Sequence, residues 1–218
     1  MRELIENTPI KKWAIVPALL TTAIGFYVLS YGFLGSGFFS PVSLALGSGL
    51  GIYLLYGSAA AKAFGKPAKP ISTFFLGLIA AQLVASISGI VVKFLLNVQV
   101  QPDEAVKHID VLFLFKAIPM IFGEELLTFV ILFIVTGLLA QSYSYKKALT
   151  IGVIVSTLVF SLLHLPSYDW NLIQVLLIIG AIRIPFTLAS LRSNSLWEGF
   201  AVHYVYDTLI FVVILLFR

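Results

Sequence analysis

The sequence predicts an all-α, polytopic membrane protein: a bundle of about seven transmembrane helices. Three observations carry that prediction. Of 218 residues, 60% are hydrophobic and 11% charged, against about 25% charged in soluble domains. The mean hydropathy is +1.03. The apolar residues also fall into runs of about twenty, the length needed to cross a hydrocarbon core of about 30 Å.

Taken in order, residues 1–12 are polar and carry Arg2, Lys11 and Lys12. They show no cleavage pattern of a signal peptide, so the first span, 13–34, reads as a retained anchor. A Gly35-Ser36-Gly37 turn precedes span two, 39–61, in which Gly47, Gly49 and Gly51 allow close helix approach. Lys62, Lys66 and Lys69 with Pro67 and Pro70 form a basic loop before span three, 73–96. The loop to His108 holds Pro102, Asp103 and Glu104. Segment 110–140 is too long for one simple span, at roughly 46 Å of helix. Pro119 and Gly123 suggest a break, giving a short re-entrant or interfacial helix over 110–120 and span four from residue 121. Spans five, six and seven are expected at 148–165, 171–191 and 196–217. One membrane domain, 1–218, is expected, with unspecific spans over 1–108 and a functional core over 109–218.

Charge orients the chain. Nine Lys/Arg occupy the N-terminus and the alternate loops, against Lys107 and Arg218 opposite, which places the N-terminus in the cytoplasm. This dispersal of basic residues argues against nucleic-acid binding. Without cysteine, disulfides, thiolate metal sites and cysteine nucleophiles are excluded.

Function is concentrated in a few polar residues at membrane depth. Glu124 and Glu125 stand side by side in an apolar run, and a carboxylate there costs roughly 2.5–3.5 kcal/mol to insert. His164 closes span five, and His203 and Asp207 lie one turn apart on span seven. Singly, each has a bland explanation: a helix cap, a carbonyl-bonded histidine, an internal hydrogen bond. Together, imidazole and carboxylate form a set that binds zinc or orients a water. Ser161 has no nucleophile-elbow context.

These motifs, Glu124-Glu125, Phe160-x3-His164 and His203-x3-Asp207, resemble those of the CAAX-protease and bacteriocin-processing family of intramembrane proteases, also called Abi. Segment 192–197 before the last motif is also similar. The resemblance covers 110–217 and implies a membrane endopeptidase, acting on lipidated or precursor peptides near the membrane boundary in a bacterial cell membrane. It implies Glu124 as the base that activates water, Glu125 as its support, His164 as holder of water or metal, and His203 with Asp207 completing the site. Glu124, His164, His203 and Asp207 are the tentative ligands of a zinc or other divalent ion. Phe129 stands where the family pattern has arginine; Lys116, Arg183 or a metal could supply the missing charge, and Arg183 could instead meet a substrate carboxylate. Asp207, where many members have asparagine, suits a metal ligand or a partner orienting His203. The alternatives are a non-catalytic partner or immunity protein of the same fold and, less favoured, a proton-coupled transporter.

Overall fold

A computed structural model of the chain describes residues 1–32, 39–104 and 109–217. The Gly35-Ser36-Gly37 turn, Lys107, His108 and Arg218 lie outside the described residues. The order of helices is α1 (Arg2–Asn7), α2 (Ile15–Tyr31), α3 (Phe39–Tyr56), α4 (Pro70–Ile90), α5 (Val111–Leu139), α6 (Tyr145–Leu163), α7 (Leu172–Gln174), α8 (Gly180–Ser193) and α9 (Leu196–Phe217). Short 3-10 or π stretches extend α3 and α4 and join α7 to α8. No strand occurs among the described residues. Among the described residues, seven helical segments are long and apolar enough to span a membrane, so this is a multi-pass integral membrane protein.

The centre of the bundle is α5. Of its apolar window 61% is buried, more than in any other span, and it packs on α3, α6 and α9. Phe129, Val130, Leu132 and Phe133 have no exposed surface. Without water, helix association depends on close packing, and glycine permits it here. A Cβ on Gly123 would sit 2.7 Å from the Ala45 amide nitrogen of α3, and one on Gly47 would strike the Thr21 carbonyl oxygen of α2.

The expected break before the acidic pair does not occur. The helix α5 runs unbroken for 29 residues through Pro119 and Gly123. Proline inside a helix costs about 3 kcal/mol, but each backbone group left unpaired in hydrocarbon costs several kcal/mol. Continuing the helix is therefore the cheaper solution. Gly123, read as a breaker, serves the α3 contact instead. At about 44 Å the helix outruns the hydrocarbon layer; its buried residues concentrate over 121–136, while Val111, Leu112 and Phe115 at its start are exposed. Asp110 caps its start, accepting from the Phe113 amide at 2.6 Å. The two glutamates lie far inside the helix, which removes their reading as capping residues.

Two irregularities aim the remaining polar groups. The helix α6 ends at Leu163 with His164 as C-cap, just ahead of Pro166, which disfavours helix before it. Between α7 and α8 the chain adopts a π turn, Val175–Ile179. Such a turn resets the angular register of the helix it leads into. Beyond it, Arg183, Thr187 and Ser190 fall on one fully buried stripe of α8.

Candidate active site

Adjacent residues on a helix diverge by roughly 100°, so Glu124 and Glu125 serve different surroundings. Glu125 turns into the protein and is fully buried. There it meets Arg183, whose Nη2 donates to Oε2 at 2.7 Å and whose Nη1 donates to Oε1. His203 Nδ1 lies 2.8 Å from the same Oε1. The other ring nitrogen of His203, Nε2, stands 3.3 Å from Asp207 Oδ2 and 3.9 Å from Glu124 Oε2. A carboxylate thus faces each ring nitrogen of His203. Aromatic side chains flank His203 and Arg183. Phe186 stacks on His203 with centroids 4.3 Å apart, and the Arg183 guanidinium lies 5.0 Å above the Phe160 ring.

Glu124 looks the other way. Its side chain is 18% exposed, and with His164 it lines two adjoining cavities. The larger, of roughly 510 Å³, is walled mainly by apolar side chains, among them Phe26 and Leu29 of α2, Leu44 of α3, and Leu127 and Leu163. The smaller, of roughly 170 Å³, holds Arg183, His203 and Asp207 together with Tyr168. Burial and the neighbouring Asp103 carboxylate push the Tyr168 phenol well above its ordinary range. His164 Nδ1 lies 2.8 Å from the Phe160 carbonyl, so the proton on Nδ1 is donated there and Nε2 is the nitrogen left for other contacts. The bland reading of this histidine, bonding to a carbonyl, holds for one nitrogen and frees the other.

The structure thus brings Glu124, Glu125, Arg183, His203 and Asp207 into one cluster, with His164 beside Glu124 at both cavities. Lys116 is half-buried on the opening turns of α5 and is not among the residues lining either cavity. Glu198, an acid within a span but outside this group, is buried at the start of α9.

Two contributors carried no signal in sequence. Phe186 is one of many phenylalanines, yet it forms the platform under His203. Gly199 reads as an ordinary helical glycine, but a Cβ there would stand 3.1 Å from Glu125 Oε2 and 2.8 Å from the Phe186 carbonyl oxygen. It lets the α9 backbone close against the carboxylate.

The tentative metal ligands do not fit an ion. Among the described residues no three His, Asp or Glu side chains are grouped to enclose one. Glu125 is saturated by Arg183 and His203, and both nitrogens of His203 already face carboxylates.

What the arrangement offers is a carboxyl group and an imidazole at the wall of an apolar chamber, with the Arg183–Glu125–His203 cluster behind. Residues 108–209, which include all six of these site residues, match the family model described as Rce1-like, type II CAAX prenyl endopeptidase. Comparison with curated proteins and with solved structures gives no match.

Proposed function

From an Rce1-like domain at residues 108–209, an intramembrane endopeptidase at the level of the family, we propose that this chain hydrolyses a peptide bond in a lipidated or precursor peptide at the membrane boundary. The observation that carries the proposal is the divergence of the two glutamates, one locked to Arg183 and one facing the cavities with His164.

In this reading, a water enters between Glu124 and His164 Nε2. His164 Nε2 accepts one of its hydrogen bonds and orients it, while Glu124 takes the other proton as the oxygen attacks the peptide carbonyl. The carbonyl oxygen gains negative charge beside the His203 and Arg183 side chains that line the smaller cavity, and their positive field offsets it. Asp207 holds the His203 ring on its Nε2 side and Glu125 on its Nδ1 side. Collapse of the tetrahedral species breaks the C–N bond, and Glu124 returns its proton to the departing amine. The apolar chamber shields the reaction from bulk water and accepts a greasy substrate segment. A zinc or other divalent ion is not required for any of these steps.

The alternative of a non-catalytic partner or immunity protein drew its support from Phe129. Arg183 provides Glu125 with a cation from elsewhere, which weakens that argument. Comparative mass spectrometry of membrane and secreted peptides from cells carrying wild-type or E124Q protein tests the proposal. Peptides released only by the wild type support it. Identical peptide sets, with E124Q still inserted in the membrane, refute it.

A further inference from the structure

Position 129 lies one turn beyond Glu125 on the same face of α5, and Phe129 fills it with no exposed surface. The cation serving Glu125 arrives instead from α8. Arg183 is itself fully buried, engages Glu125 through both terminal nitrogens, and lies 5.0 Å from the Phe160 ring centroid and 5.9 Å from that of Phe186. A two-point grip between flat aromatic faces suits arginine and not lysine, whose ammonium is a single strongly hydrated point charge.

Burying two charges is expensive, and replacing such a pair by apolar residues is often neutral or stabilising. Packing alone therefore does not account for this one, and its neighbour suggests what does. Glu125 Oε1 is shared between Arg183 Nη1 and His203 Nδ1, with the two nitrogens 3.4 Å apart. Arg183 thereby sets the position of the acceptor on which the His203 ring turns. Lose the guanidinium, and Glu125 rotates about its side chain or takes up a proton, so His203 loses its fixed anchor.

We propose that Arg183 is a positioning residue for the peptidase reaction, acting through Glu125 on His203, and that it discharges from α8 the duty an arginine at position 129 would discharge from within α5. The inference rests on the peptidase reading and goes beyond it by assigning the residue that keeps the His203 ring aligned.

The test uses the full chain in detergent and an internally quenched, farnesylated peptide ending in a CAAX sequence. R183L is expected to lower kcat by about 100-fold, the scale of a 1 Å misplacement, with KM changed less than about twofold. Its Tm should fall by about 10 °C, as expected for one partner lost from a buried pair. R183K should recover only part of either loss. The deciding variant is F129R/R183L, which should regain at least about a tenth of wild-type kcat and most of the Tm. Wild-type kcat in R183L, or a double variant that folds yet is no more active than R183L, overturns the inference. Where R183L does not yield folded protein, the double variant decides: folded and active supports the inference, and failure overturns it. No cleavage by the wild type would overturn the peptidase reading, and this inference with it; cleavage without rescue overturns this inference alone.

Discussion

G199A introduces one methyl group where α9 presses on the Glu125–Arg183 pair. Its Cβ would lie 3.1 Å from Glu125 Oε2 and 2.8 Å from the Phe186 carbonyl oxygen, and would collide with Ser190 Oγ. Ordinary contact needs about 3.5–4.0 Å, so the carboxylate or α9 must shift by roughly half an ångström to one ångström. Overpacking of this kind costs about 1–3 kcal/mol. At about 2–4 °C per kcal/mol for a chain of this size, Tm should drop by about 2–12 °C. A displacement near 1 Å in a catalytic constellation costs about 100-fold in rate, and it should appear in kcat more than in KM. A second variant separates the two effects. Ser190 Oγ has no hydrogen-bond partner among the described residues, so S190A is nearly free and removes the worst collision. S190A/G199A should therefore regain much of the Tm while the Glu125 contact keeps kcat low. The assay is thermal unfolding and cleavage of a quenched peptide on the same detergent-purified samples. G199A with wild-type Tm and kcat would refute the claim that the α9 backbone seats Glu125.

The same geometry sets other expectations. Because no three acid or imidazole side chains are grouped around an ion among the described residues, thorough chelation should leave cleavage within about twofold of the untreated rate, where loss of a catalytic ion would cost orders of magnitude; stoichiometric bound zinc whose removal abolishes cleavage would contradict this. E124Q should reduce kcat by at least about 100-fold, the lower range for general-base catalysis, while leaving Tm unchanged; a large Tm loss would mark Glu124 as structural. Outside the membrane, Lys62 donates to Glu3 at 2.7 Å and holds that carboxyl below its ordinary 4.5. A lowered folded-state value stabilises above the ordinary value and is lost as pH falls through the lowered one. The Tm difference between wild type and K62M should accordingly be present at neutral pH and vanish in acid, and a difference independent of pH would exclude the ion pair as its cause.

The path of the chain was legible where hydropathy decides it. Span seven, read at 196–217, coincides with α9, and Pro166 was a reliable sign that α6 stops at the histidine. The break expected from segment length and from Pro119 and Gly123 does not form, because the rule that proline interrupts helices is calibrated in water, where freed amides find other partners. The site residues were legible as types and spacings, but their pairings were not. Nothing along the sequence says that residue 183 meets residue 125, since that contact depends on the register of α8 after a π turn. Arg183 was readable only as a choice between neutralising a glutamate and meeting a substrate. The four tentative metal ligands could be named from the sequence, but the contacts of His203, Nδ1 toward Glu125 and Nε2 toward Asp207, could not. Gly199 and Phe186 act by shape, which residue type alone does not reveal.

Phe26, Leu29, Ser30 and Tyr31 of α2 line the larger cavity, yet α2 lies outside the stretch that matches the family model. In the proposed peptidase, the chamber wall that meets the substrate and the groups that hydrolyse it therefore come from separate pieces of polypeptide, so substitutions along that wall are expected to alter which peptide is accepted and leave the hydrolytic groups in place.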